Sequence, residues 1–402
     1  MSVIPEHWKA LSLAAAAVIL SLTTWFSATA ILPELIVVFE LTTEQSSWIT
    51  NAVQVGFVAG ALTSSLMSIS DVLKLTKLMA SASLVATLSN ALLLTEPTGG
   101  FAMLLRFITG VSLAFIYPPA MKFIATWFVK GRGLAMGAMV GALTLGSALP
   151  FLFRGDTANI DWRLVIIGSS ACSFVAAIIF GFLLSEGPHS FAKTKFNPRQ
   201  LGQVVKNRPV MLANFGYFGH MWELYAMWGW LLAYITAAQS NGLEVSNAAL
   251  LTFSVVALGA PGCVFCGWLA DKIGRCYATS IMMICSGSAA LLVGFYFDGP
   301  VWVFTLVAMV WGFTVVADSA QFSAAVTELS DSSLVGSSLA LQMGIGFAIT
   351  IFAIWITPQV AQWLGSWQWT FLILVPGPFV GTWAMLKLRQ HPDSVRLAAG
   401  KG

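Results

Sequence analysis

Charge is what this sequence has least of. Only 9% of its 402 residues are Asp, Glu, Lys or Arg. A soluble domain carries roughly 25%, so a soluble fold of this length could not cover its own surface. The residues of an enzyme are scarce too. There are four histidines and five cysteines, with no cluster at metal-ligand spacing. Cys263 and Cys266 form a C-x-x-C inside an apolar run, with no histidine or second pair nearby, and read as small packing residues. No Walker-type sequence follows the Gly131-Arg132-Gly133 turn, and no nucleophile–base motif occurs. An ATP-driven pump would need a soluble nucleotide domain, and no stretch offers one. No enzyme activity, cofactor or metal is expected. The net charge of +3 gives no support for nucleic-acid binding.

What fills the sequence is apolar: 57% of the residues. Crossing the hydrocarbon takes about 20 apolar residues as a helix. Twelve such runs occur, near 10–32, 46–69, 76–96, 101–127, 132–153, 162–185, 208–237, 246–270, 276–297, 300–325, 334–359 and 366–388. They lack the dyad alternation of barrel strands. Helices satisfy every backbone amide within the segment, so the reading is an all-α membrane protein with twelve transmembrane helices. The first run imitates a signal peptide at Ala28-Thr29-Ala30, but it is too long for one and eleven more follow.

Lys and Arg set the orientation. With the N-terminus inside, one side collects Lys9, Lys74, Lys77, Lys130, Arg132, Lys193, Lys195, Arg199, Lys206, Arg208, Lys272, Arg275, Lys387, Arg389, Arg396 and Lys401, and the other only Arg154 and Arg163. Both termini are therefore expected to be cytoplasmic. The longest polar stretch divides six runs from six, giving an N-terminal half at 1–185, a cytoplasmic linker at 186–207 and a C-terminal half at 208–402.

The halves repeat each other. Gly267-Trp268-Leu269-Ala270-Asp271-Lys272-Ile273-Gly274-Arg275 is a charged hairpin between runs eight and nine, and Ser70-Asp71-Val72-Leu73-Lys74 is its worn copy 200 residues earlier. Glycine-rich openings of runs five and eleven, at Gly133 and Gly336, are offset by 203. Asp161-Trp162-Arg163 and Ser366-Trp367-Gln368 open runs six and twelve, offset by 205. Six is even, so both halves enter the membrane alike and the repeat is parallel, about an axis along the membrane normal.

Gly-x-Leu-Ala-Asp-Lys-x-Gly-Arg, the two six-helix halves and the long central loop resemble the major facilitator superfamily over essentially the whole chain. Leu104-Leu105-Arg106-Phe107-Ile108-Thr109-Gly110 is similar to its fourth-helix arginine pattern. The fifth-helix antiporter pattern Gly-Pro-x-x-Gly-Gly is missing, and Gly146-Ser147-Ala148-Leu149-Pro150 stands there. In the first-half hairpin Met67 replaces a glycine, and Val72 and Lys74 replace the basic residue and the second glycine. The resemblance implies alternating access, with helices one, four, seven and ten lining a central cavity. It also implies a conformational latch at Asp71, Gly267, Asp271, Lys272, Gly274 and Arg275, fastening helices eight and eleven on the inner side.

Ionisable groups inside apolar helices are costly and mark function. Arg106, Lys122, His220, Glu223 and Asp318 are the ones here. At 100° per residue, Arg106, Gly110, Leu113 and Tyr117 share a face and Lys122 lies nearly opposite, as a snorkelling or interhelix residue. Asn214, Tyr217, His220 and Glu223 recur at i+3 along run seven, so His220 can reach Tyr217 and Glu223. A carboxyl held between burial and a nearby imidazole is how a proton carrier is made. Thr314, Asp318 and Gln321 share a face of run ten. Trp25, Gln54, Arg106, Tyr117, Tyr217, His220, Asp318, Gln321 and Gln342 are the expected cavity residues. Glu223, His220, Asp318 and Arg106 are the expected proton-coupling residues, and Glu34 is a candidate partner for Arg106.

The expected function is secondary active transport, by proton-coupled uptake of a small organic solute. An anion caught by Arg106 or His220 is one candidate cargo. Proton-coupled efflux of drug-like or amphipathic compounds is the alternative, and a non-transporting receptor or scaffold the remote one. The expected partners are the solute, protons and membrane lipid. The chain is expected to work as a monomer in a cell membrane, a bacterial inner membrane by preference.

Overall fold

A computed structural model describes residues 5–67, 69–128, 132–155, 161–189, 200–331 and 333–402. Lys130, Lys193, Lys195 and Arg199, residues 190–199 of the expected linker, and the side chains of Asp71 and Arg132 lie outside the described residues. All described secondary structure is helical. The chain forms two compact units, Met1–Lys193 and Thr194–Gly402.

Each unit holds six spans. In the first, the spans are Glu6–Val38 in three pieces, Thr43–Met67, Leu75–Thr95, Gly99–Trp127 in two pieces, Arg132–Arg154 and Trp162–Leu183. In the second they are Arg208–Ser240, Ala248–Ile273, Arg275–Tyr296, Val301–Leu329 in two pieces, Val335–Leu364 and Thr370–Arg389. Among the described residues, nine helices are long and apolar enough to cross a membrane. The first, second and seventh spans complete the set of twelve. The first is cut short by a break, the second carries Asn51 and Gln54, and the seventh carries Asn214, His220 and Glu223. The break sets the first apart from the nine, and polar residues set apart the second and seventh. Outward faces stay apolar: Phe101, Leu104, Phe182, Trp302, Leu306 and Phe352 are exposed, as lipid solvent requires.

Both units use glycine to bring the same two spans together. A Cβ on Gly56 would lie 2.0 Å from the Phe107 carbonyl oxygen, and one on Gly110 would lie 2.0 Å from that of Val53. The second and fourth spans therefore touch backbone to backbone. In the other unit, a Cβ on Gly262 would lie 2.0 Å from the Phe313 oxygen, and one on Gly312 would lie 1.9 Å from that of Val255. The eighth and tenth spans repeat the contact. Lipid offers no hydrophobic drive between helices, so such close approach supplies the packing.

Three spans break over two or more consecutive residues, and the eighth is interrupted at Leu258 alone. The first leaves helical geometry between Leu22 and Ser27, the fourth between Ala114 and Tyr117, and the tenth between Val315 and Ser319. Pro118 and Pro119 account for the second of these, since a proline removes a donor and crowds the preceding turn. The other two contain no proline. A break frees backbone carbonyls, which must find other partners at membrane depth. What satisfies them locates the candidate site.

Candidate functional site

In the first unit the answer is Arg106. It projects from the fourth span and is fully buried. Nη1 donates to the Thr24 carbonyl (3.0 Å), the Ser27 hydroxyl (3.2 Å) and Asn90 Oδ1 (3.2 Å), and Nη2 donates to the Trp25 carbonyl. Two of these acceptors are the carbonyls freed by the break. Asn90 is fixed in turn by Ser27, which donates to its Oδ1 (2.6 Å), and by its own amide, which donates to Ser170 (2.9 Å). The arginine is thus a cap inserted into a broken helix. Its Nε has no partner among the described residues.

The expected Arg106–Glu34 pair does not form. Glu34 belongs to Arg154, which grips it with both terminal nitrogens at 2.7 and 3.2 Å. Proximity along the outer ends favoured that pairing, whereas Arg106 points inward to the break. Lys122 is half-buried and donates to the Ser70 carbonyl at 2.8 Å, tying the fourth span to the worn hairpin. Trp25 is buried against Phe57 (ring centroids 5.0 Å apart), and Tyr117 opens the second piece of the fourth span, half-buried. Gln54 is buried, and neither of its amide atoms has a partner among the described residues.

The second unit holds ionisable groups differently. His220 and Asp318 are both buried, and His220 Nδ1 stands 2.9 Å from Asp318 Oδ1. The contact is short but not aligned as a hydrogen bond. Asp318 ends the break in the tenth span and precedes its second helical piece. Tyr217 and Phe322 pack on the imidazole, with centroids at 5.9 and 5.6 Å. The far nitrogen, Nε2, has no partner among the described residues.

Glu223 lies one turn on from His220 yet is held apart from it. Its Oε1 accepts from Trp311 Nε1 at 2.7 Å, and its Oε2 accepts from the Ser286 hydroxyl at 2.9 Å. Helical spacing made His220 the expected partner. The drift of about 60° per i+3 step instead sends Glu223 toward the ninth and tenth spans. Sequence reasoning missed Trp311 and Ser286, which look like ordinary packing residues. Gln342 accepts from Ser323 at 3.1 Å. Gln321 is not free for a solute: it accepts from Arg275 Nη1 at 2.6 Å.

That contact belongs to the hairpin. The eighth span ends at Ile273, Gly274 turns the chain at φ +93°, and the ninth begins at Arg275. Arg275 binds Glu328 through Nε (2.8 Å) and Nη2 (2.6 Å). The partner in this structure is therefore the C-terminal end of the tenth span, at Glu328, rather than the eleventh. A tail segment covers the hairpin. Leu397 is buried, Ala398 N–H donates to Glu328 (3.1 Å), Cys276 N–H donates to the Gly402 carbonyl (3.2 Å) and Lys401 donates to the Asp271 carbonyl. A Cβ on Gly274 would lie 2.3 Å from the Gly402 oxygen, so only glycine admits the tail. The Asp271 side chain is exposed, Lys272 lies over the Trp268 ring (4.1 Å), and Gly267 packs without crowding.

The sequence signature of the Major Facilitator Superfamily matches residues 13–340. Among curated relatives, the uncharacterized transporter ESBP6 of Saccharomyces cerevisiae is 27% identical over 44% of this chain and 27% of its own length. The agnestins efflux protein AgnL12 of Paecilomyces divaricatus is 27% identical over 46% of this chain and 42% of its own. The uncharacterized MFS-type transporter YceJ of Bacillus subtilis is 27% identical over 58% and 60%. The matched stretches thus span about a quarter to three-fifths of these relatives. Among solved structures, the xylose transporter XylE of E. coli, in a partially occluded inward open conformation, superposes with a TM-score of 0.71 at 16% identity, over 95% of this chain and 99% of that one. A point mutant of the nucleoside transporter NupG gives 0.70 at 13% identity, over 94% and 99%.

Proposed function

The chain belongs to the Major Facilitator Superfamily and is a membrane transporter rather than an enzyme, and from that premise we propose proton-coupled uptake of a small organic anion by alternating access. The observation that carries this reading is His220. It is a buried imidazole with an acid on one nitrogen and, among the described residues, no partner on the other. With Nδ1 facing Asp318, protonation at Nε2 creates a donor aimed away from the pair. A carboxylate solute fits that donor, and proton and anion load together. Asp318 balances the imidazolium, so no lone charge is buried. Arg106, the other anion candidate, already spends both terminal nitrogens on its own unit. Gln54 and Gln342 remain the proposed polar lining, the inner membrane the proposed location, and both termini cytoplasmic.

The test uses proteoliposomes loaded with a pH-sensitive dye and offered a panel of small carboxylates. An inward proton gradient should drive accumulation above equilibrium and acidify the lumen. Asp318→Asn should abolish accumulation and also weaken counterflow exchange, because the imidazolium that meets the anion loses its balancing charge. Accumulation that ignores the gradient would overturn the reading. Efflux is the second reading, because AgnL12 is named an efflux protein. It predicts solute leaving as protons enter, in the same liposomes with the cargo inside.

A further inference from the structure

Ser286 is hydrogen-bonded twice with one proton. Its Oγ lies 2.9 Å from Glu223 Oε2 and 3.2 Å from the Met283 carbonyl oxygen, three residues back in its own helix. A serine hydroxyl has one O–H to donate and lone pairs to accept, so it can serve only one of these acceptors at a time. The other contact is left for a second arrangement. Trp311 Nε1–H is donor-only and occupies Glu223 Oε1 throughout.

Two complete networks follow. In the first, Glu223 is a carboxylate, and Trp311 donates to Oε1 and Ser286 to Oε2. In the second, a hydronium ion has given its proton to Oε2, its own O–H bond breaking as the carboxyl O–H forms and water leaving. That O–H donates to Ser286 Oγ, and the serine hydrogen has rotated onto the Met283 carbonyl. Trp311 still donates to Oε1. The only covalent exchange is that one O–H bond, broken in hydronium and made at Oε2, and both carboxyl oxygens and the serine keep a partner in either state. An unsatisfied buried polar group costs roughly 1–3 kcal/mol, so a carboxyl that must exist in two states at membrane depth needs such a swivel.

We propose that Ser286 is the positioning residue that lets Glu223 take up and release a proton inside the membrane. The groups around Glu223 fit a one-proton device. Asp318 lies within electrostatic reach, and His220, one turn earlier, is committed to Asp318. The first piece of the tenth span and all of the eleventh carry no ionisable residue. On the ninth span, Cys285 adjoins Ser286, and Arg275 sits at the inner end with Glu328. On the twelfth span, Lys387 and Arg389 lie in the last turn. The inference rests on the proton-coupled reading, but its test does not need a solute.

Infrared difference spectra of the reconstituted full chain, taken across a pH titration, report carboxyl protonation directly. Glu223→Gln identifies the band. The wild type should show a Glu223 carbonyl band that grows as pH falls. Ser286→Thr keeps the hydroxyl and should titrate like the wild type. Ser286→Ala should shift the band's frequency and displace its midpoint by roughly two- to tenfold in proton affinity, the size of one lost hydrogen bond. Thermal unfolding confirms that each variant is folded. A wild-type carboxyl that does not titrate overturns the proposal, and so does a Ser286→Ala band identical to wild type. If the band behaves as expected but transport ignores a proton gradient, the swivel stands and the proton-coupled reading fails.

Discussion

The two units share a fold and handle buried charge in opposite ways. In the first, Arg106 is consumed by backbone carbonyls of a broken helix. An arginine keeps its charge under all physiological conditions, so it suits a permanent support. In the second, His220, Asp318 and Glu223 are groups that change charge, and they are held by side chains that leave a nitrogen or an alternative acceptor open. Duplication supplied two scaffolds. On the proposed reading, the buried charge of the first unit is structural and that of the second serves proton transfer.

The largest effect should come from breaking the support. Arg106→Ala removes the guanidinium donors from the Thr24 and Trp25 carbonyls and leaves Ser27 alone to serve Thr24 and Asn90. A buried polar group left without its partner costs roughly 1–3 kcal/mol, and several are affected together, so the loss of stability should be large. Arg106→Lys should rescue little, because a single ammonium cannot span the Thr24, Trp25 and Asn90 acceptors. Thermal unfolding in detergent checks both. If Arg106→Ala melts like wild type but binds no anion, Arg106 is a site residue and the division between the units collapses.

The next effect sharpens the chemistry. Asp318→Asn and Glu223→Gln should both block gradient-driven accumulation, but for different reasons. Asp318→Asn unbalances the imidazole and should also change how His220 meets an anion. Glu223→Gln keeps an acceptor for Trp311 and mimics the loaded carboxyl, so exchange should persist at a rate near wild type. Counterflow assays separate the pair. Normal uphill transport by Glu223→Gln would leave His220 and Asp318 as the whole coupling device.

How much of this was legible in the sequence follows from the distances involved. The twelve spans were, because length and apolarity are local and lipid enforces them. The break in the fourth span was visible at Pro118 and Pro119. The breaks at Thr23–Phe26 and Val316–Asp318 were not. No residue there forbids a helix, and the first is held open by an arginine from another span. Ionisable residues in apolar runs announced themselves, but their partners did not. A helical wheel relates residues of one helix. It could not bring Ser286 and Trp311 to Glu223, or Glu328 to Arg275.

The smallest expected effects lie at the hairpin, where the comparison is between a backbone carbonyl anchor and an ion pair. In the first unit Lys122 holds the Ser70 carbonyl. In the second, Arg275 holds a carboxylate and a glutamine, and the tail adds a donor to the same glutamate. The Arg275 and Glu328 side chains are 14% and 29% exposed, so water screens the pair and its loss is worth about 1 kcal/mol. A difference of that size between two conformations changes a rate by roughly fivefold. Arg275→Gln should therefore slow transport severalfold and leave folding intact. Glu328→Gln should do less, because Gln321 still receives Arg275. Asp271→Asn should do least, since its carboxylate is exposed and only its backbone oxygen is engaged. The double variant Arg275→Gln/Glu328→Gln should be no slower than Arg275→Gln alone, because each removes the same bond. Initial rates in liposomes give the order. If Asp271→Asn proves the slowest, the latch works through a partner that its carboxylate meets in another conformation, and the ion pair at Arg275 is only a brace for the turn.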